Sequence, residues 1–167
     1  MKKAAASHEK VTELVLLVLD VYGALHANGQ KITQPFEQSP ARWQLMGQLD
    51  QQSWTVSEIA RRVGNSRQAV QRLANEMVRD DLIEFVDNLD HRRSPKLKLT
   101  GSGASTLRQI NLKQHAWAKA LGVELTSESV NQTIAGLGQL LAALETTERD
   151  FFQSRSSDAS LSPNAQM

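Results

Sequence analysis

Arg61, Arg62, Arg67 and Arg72 fall within twelve residues that contain no acidic group, and Gln68, Gln71 and Asn75 share the segment or follow it closely. Guanidinium and carboxamide groups make paired hydrogen bonds with flat partners. Arg fits the O6/N7 edge of guanine or two phosphate oxygens, and Gln or Asn fits the N6/N7 edge of adenine. Surface helices usually mix charge signs. An acid-free run of this length is therefore a candidate for contact with a polyanion, the alternative being the solvated face of a core helix. Arg92, Arg93, Lys96 and Lys98 form a second cationic group within seven residues, with Asp87 and Asp90 just before it. Such a loop suits phosphate contact or arginine insertion into a minor groove.

Other chemistry finds little support. The chain has no cysteine and four histidines, His8, His26, His91 and His115, which show no spacing for a zinc site. TGSGAS at 100–105 lacks both the Lys-Ser/Thr of a phosphate loop and the spacing of a dinucleotide loop. No Ser-His-Asp grouping or carboxylate pair stands out. The sequence predicts no enzyme, no metal and no cofactor.

The elements that must position the arginines are helical. Thr55 and Glu58 form a capping box opening a short helix that Gly64 stops. Asn65 or Ser66 caps the next helix, which runs to about Asp80. On it Val70, Leu73, Ala74 and Met77 share one face, while Gln68, Arg72, Asn75 and Arg79 share the other, with Arg67 and Gln71 on the flanks. Two short helices joined by a Gly-containing turn form a helix-turn-helix. Leu82–Val86 and Lys96–Thr100 alternate as strands around a polar tip with Pro95, which makes them a β-hairpin. The fold class expected is mainly α: a winged helix-turn-helix with a small β-hairpin wing, flanked by N- and C-terminal dimerisation helices.

The flanks carry more apolar surface than a small winged helix can cover. Val11–Leu25 and Val130–Phe151 repeat apolar residues at helical spacing, and Leu16, Leu17 and Leu19 widen the first face until it reads as buried nearly all round. A second chain is the natural cover, packing of the two helices on each other being the alternative. Gly136 and Gly138 permit close approach of another helix. Residues 28–40, with turn formers and two prolines, read as a loop, Ala41–Leu49 as a short helix, and Thr100 to about Leu121 as a helix ended by Gly122. Glu13 and Asp20 interrupt the apolar N-terminal segment, so no membrane span or signal core is expected, and a cytoplasmic location is. Four segments follow: 1–40, an N-terminal dimerisation helix and loop; 41–100, the DNA-binding domain; 101–153, linker and dimerisation helices; and 154–167, a disordered polar tail.

The charge distribution agrees. Of 167 residues, 40% are apolar and 22% charged, and the net charge is only +1. Residues 55–100 carry nine basic and seven acidic groups, against five and five before them and five and six after. The positive excess lies where the arginine face lies.

The run TVSEIARRVGNSRQAVQRLANEMVRDDLIEFVDNLDHRRSPKLKLTGSG resembles the winged-helix core of the MarR family of transcription regulators, over roughly residues 41–105. The likeness rests on the VSEIARRV helix, the NSRQAVQRL cap, the leucine strand, the arginine-rich wing and the LTxxG pattern of Leu99, Thr100 and Gly103. Two positions depart from it. Asp81 stands where the family has Gly before the first wing strand. His91, with Asp90 beside it, stands at the acidic place of the family's Asp-x-Arg wing pair, whose arginine is Arg93 here.

The resemblance implies a homodimeric DNA-binding regulator, a repressor, on a pseudo-palindromic site. Ser66, Arg67, Gln68, Gln71, Arg72 and Asn75 would meet the bases and Arg92, Arg93 and Lys96 the backbone or minor groove of double-stranded DNA. It also implies release by a small aromatic or anionic effector, for which Tyr22, His26, Trp43 and Trp117 are candidate cavity residues, with core packing as the alternative. A winged helix kept as a protein-protein interaction module without sequence-specific DNA binding is the competing function.

Overall fold

The computed structural model describes residues 5–89, 91–148 and 150. Helix α1 (His8–Thr33) starts at Ser7, whose side chain accepts from the Lys10 N–H. A 3-10 turn over Gln34–Phe36 leads to α2 (Pro40–Leu49), capped by Ser39. Strand β1 (Trp54–Thr55), α3 (Val56–Val63) and α4 (Arg67–Arg79) follow, then β2 (Ile83–Val86) and β3 (Lys96–Leu99). Helices α5 (Gly101–Val123) and α6 (Ser127–Thr147) complete the order, and Thr126 caps α6. The chain divides into two compact units between Trp117 and Ala118, within α5.

The core of the first unit is built from one face of every helix in it. Met46 of α2, Ile59 of α3, Ala74 and Met77 of α4, Ile83 and Leu97 of the sheet, and Leu107 and Ile110 of α5 are essentially inaccessible to water. Each large side chain so buried contributes roughly 1.5–3 kcal/mol. The sheet is antiparallel in the order β1-β3-β2, with Leu97 paired to Trp54 on one side and Phe85 on the other. The expected hairpin is thus present, with an additional edge strand that two residues are too short to announce by alternation.

Three expectations are corrected. The loop expected over 28–40 begins later, because α1 continues to Thr33. Asn28 bonds back to the Ala24 carbonyl at 2.9 Å, Thr33 Oγ1 to that of Gly29 at 3.0 Å, and Ile32 and Thr33 are buried. Tertiary burial therefore overrides the poor helix propensity of Asn and Gly. Gly122 does not end α5, which continues to Val123. The apolar face of α1 is also not buried in the single chain: Val11, Leu14, Val15, Leu16, Leu17, Leu19, Val21, Tyr22 and Leu25 are 40–66% exposed. By length and apolar composition alone, this helix could cross a membrane.

In the second unit, α6 buries no residue, and Val130, Ile134, Leu137, Leu141 and Leu144 are 36–64% exposed. Phe151 and the tail 154–167 lie outside the described residues, as does Asp90.

Candidate nucleic-acid interface

The capping box that opens α3 is complete. Glu58 N–H donates to Thr55 Oγ1, while Glu58 Oε2 accepts from the Thr55 backbone N–H and hydroxyl, both at 2.8 Å. The backbone donor first and the hydroxyl second hold the Glu58 carboxyl below its usual range; burial opposes them, and Lys96 and Arg61 act with them. Gly64, at φ 66°, makes the left-handed stop that turns the chain from α3 into α4.

Ser66 then caps α4, its side chain accepting from the Ala69 N–H at 3.1 Å. Val70, Ala74 and Met77 anchor the helix to the core, which settles the direction of its other face. Arg67, Gln68, Arg72 and Asn75 are exposed, and Gln71 is half-buried. Gln71 Nε2 donates to Asn75 Oδ1 at 3.0 Å, orienting both amides along the helix. Ser66, Arg67, Gln68, Gln71, Arg72 and Asn75 together line one open depression of about 760 Å³. The six residues picked out on α4 therefore share one surface without an acidic side chain.

The wing places its cations differently. Arg92 and Arg93 are exposed at the hairpin tip. The tip is held by Asn88, whose buried side-chain amide donates to the Ser94 carbonyl at 2.9 Å, and by the His91 N–H to Asn88 and Ser94 N–H to His91 carbonyl turns. Arg92 shares a small cleft with Asp87, Asn88 and Leu89. Lys96 is half-buried in β3, opposite Thr55 and Val86, and close enough to Glu58 to influence its ionisation. Lys96 is therefore engaged by the sheet and α3 more than the tip arginines are.

Tyr22, His26 and Trp43 line a single cleft of about 670 Å³ between α1 and α2, together with Gln44, Gln48 and Asn65. Tyr22 and His26 rings lie 6.0 Å apart, tilted by 31°. Trp43 donates its indole N–H to Asn111 Oδ1 on α5 at 3.1 Å. Trp117 does not line this cleft; it is half-buried against the hydrophobic core. Amide residues in the cleft escaped the sequence reading because Gln44, Gln48 and Asn65 fall on two elements and form no pattern. Among the described residues no Lys or Arg lines it.

A helix-turn-helix whose second helix bares an arginine and amide face, followed by a β-hairpin, defines a winged-helix protein. Residues 39–94 match the model of the MarR family. Proteins of Mycobacterium tuberculosis (Rv2011c) and Mycobacterium bovis (Mb2034c), both described as uncharacterized, are 32% identical over 137 residues, covering 82% of this chain and 96% of theirs. Among solved structures, Staphylococcus aureus MarR in complex with salicylate and kanamycin superposes with a TM-score of 0.74 at 17% identity, over 83% of this chain and 95% of that one. A mutant Escherichia coli MarR complexed with operator DNA gives 0.72 at 18%, over 82% and 99%, and the S. aureus MepR–DNA complex 0.70 at 20%, over 77% and 96%. The chain belongs to the MarR family and is a transcription regulator, not an enzyme.

Proposed function

We propose that this regulator is a homodimeric repressor that reads a pseudo-palindromic operator through α4 and is released by a small ligand in the α1–α2 cleft. The observation that carries the reading is the acid-free surface of Ser66, Arg67, Gln68, Gln71, Arg72 and Asn75, at the start of the second helix of the helix-turn-helix. Side chains on these first turns are those that reach base edges when such a helix enters a major groove. Arg92 and Arg93 at the wing, with Lys96 behind them, supply the phosphate or minor-groove contacts. Solved relatives captured with operator DNA and with salicylate support the same two ligand classes.

The uncovered faces of α1 and α6 support pairing with a second copy. In this reading 1–40 and 101–153 supply the pairing helices, while 41–100 is the reading head. Among the described residues, a Cβ at Gly136 or Gly138 would meet no atom outside its own stretch of helix within 4 Å, leaving room for a close helix neighbour. Lipid is the poorer cover for α1. Asp20 lies in the middle of its apolar stretch, where a charge costs about 2.5–3.5 kcal/mol at a bilayer centre, and the far end of the helix is packed into the core through Ile32. A cytoplasmic location follows from this reading.

Selection of bound sites from random duplex DNA tests the proposal. The expected result is a two-fold consensus with half-site centres about one DNA turn (~10 bp) apart. Recovery of sequences with no common motif, at an affinity insensitive to sequence, would overturn it.

A further inference from the structure

The first turn of α2 stands between the cleft and the back of α4. Ala41 lines the cleft and also a crevice of about 210 Å³ bounded by Ala69, Val70, Arg72, Leu73 and Glu76 of α4, and Asn65 borders both. The next residue, Arg42, gives its N–H to the Ser39 side chain. Its guanidinium Nη2 pairs with Oδ2 of Asp80, the residue that caps the C-terminus of α4. The Arg42 side chain is 18% exposed and that of Asp80 54%. Arg42 Nε is buried without a hydrogen-bond partner among the described residues. The cation is thus largely withdrawn from water, and the Asp80 carboxylate is its ionic partner.

At its other end α2 is tied to α3. Gln48 Oε1 accepts from Arg62 Nε at 2.8 Å, and the Arg62 guanidinium lies 4.5 Å from the centre of the Trp54 ring. Both helices of the helix-turn-helix are therefore fastened to α2 by side chains. The fastening to α4 falls at the end opposite the residues that face the depression. A constraint there acts as a lever: it fixes the direction of the helix axis while touching nothing that α4 reads.

We propose that Arg42 is a positioning residue of the DNA-reading surface, setting the tilt of α4 through Asp80 and thereby the discrimination between operator and other DNA. The proposal rests on the reading of α4 as the helix that contacts bases. Paired hydrogen bonds to base edges must be held within about 10–20° of their productive geometry, a limit that affinity for phosphate alone does not impose. Only the Asp80 end of the pair is half-exposed, and solvent screening there limits what the pair adds to folding stability. The pair thus acts on orientation more than on folding.

The test measures binding of full-length protein to its selected operator and to a shuffled duplex of the same length, at several salt concentrations, beside thermal melting. Arg42→Gln and Asp80→Asn are each expected to weaken operator binding about tenfold, to leave shuffled-duplex binding within about twofold, and to shift Tm by less than about 3 °C. Arg42→Lys should retain most of the discrimination, and the exchange Arg42→Asp with Asp80→Arg should restore part of what either reversal loses. Unchanged discrimination in both single variants overturns the proposal while leaving the DNA reading intact. A fall in Tm of more than about 3 °C in Arg42→Gln assigns the pair to stability and overturns it too. If the wild-type protein prefers no sequence, the base-reading role of α4 fails, and the proposal with it.

Discussion

The carbonyl oxygen of Leu82 occupies the place where a side chain on residue 103 would begin: a Cβ built on Gly103 would stand 1.9 Å from it. The neighbouring Thr100 explains why the two segments meet. Its N–H donates to the Leu82 carbonyl at 3.2 Å, its hydroxyl donates to that of Asp81 at 2.6 Å and accepts from the Gly103 N–H at 3.0 Å. The LTxxG pattern is therefore a clasp that fixes the start of α5 against the end of α4. Gly103→Ala is expected to destabilise the protein by about 1–3 kcal/mol, because the obstacle is backbone and cannot rotate aside. Urea denaturation measures this directly, and a variant as stable as the wild type would show that α5 has room to shift.

Asp81 sits at φ 55°, in the left-handed region. Its N–H bonds to the Val78 carbonyl at 3.1 Å and that of Leu82 to Met77 at 2.9 Å, which is the Schellman arrangement, with Leu82 and Met77 both buried. The family pattern places Gly here, and the geometry shows the reason. Asp81→Gly is expected to match or exceed the wild type by up to about 1 kcal/mol, while Asp81→Val loses about 1–2 kcal/mol. Paired denaturation curves for the two variants check the sign.

The helix-turn-helix was legible because its signals are local. Thr55 with Glu58, Gly64, and Ser66 each announce a cap or stop in a few residues, and the alternation of Val70, Ala74 and Met77 with Arg67, Gln71 and Arg72 gives the face. What escaped depends on distant partners. Asn28 and Gly29 read as a break, but Ile32 and Thr33 find a core to enter and the helix continues. The exposure of Leu16 and Leu17 cannot be told from burial by periodicity, since an apolar face looks the same whichever chain covers it. Arg42 and Asp80 lie thirty-eight residues apart and carry no pattern that would join them.

Glu58 links folding to pH. Its carboxyl is held below the usual range by the Thr55 donors, so the folded state favours the charged form. A depressed folded value means that the stabilisation is fully present above the unfolded pKa of about 4.3 and is lost as pH falls through the folded value. Glu58→Gln keeps a capping-box acceptor but removes the titration. It should lower stability at pH 7 by no more than about 0.5 kcal/mol, because solvent screens so open a carboxylate at the helix start, and flatten the acid end of the stability curve. Denaturation at pH 7 and pH 3 separates the two effects; equal losses at both would mean that ionisation contributes nothing.

Leu17 on α1 and Leu141 on α6 are 59% and 64% exposed, so a charge at either should be tolerated by the single chain. In a dimer sealed by these faces, Leu17→Glu or Leu141→Glu buries a carboxylate on each side of the interface. Either substitution should weaken assembly by about a hundredfold or more, on the order of several kcal/mol for an unpaired buried charge. Sedimentation across a concentration series reads the outcome. A wild-type chain that sediments as a monomer at all concentrations would remove the reason for these exposed faces.

Arg72 and Arg93 should fail differently when truncated. Arg72 lies in the α4 depression beside Gln68, Gln71 and Asn75, where a guanidinium can pair with one base edge. Arg72→Ala is therefore expected to cost about 1–3 kcal/mol on the selected operator and to relax sequence choice at one position of each half-site. Arg93 is exposed on the wing, which the proposed reading sets against backbone or groove rather than a base edge. Arg93→Ala should weaken all duplexes alike and reduce the salt slope by about one for each phosphate it no longer neutralises. Salt-titrated binding to operator and single-substitution duplexes distinguishes the two. Identical, sequence-independent losses in both variants would mean that α4 holds DNA without reading it. Wild-type affinity in both would place the interface elsewhere on the molecule.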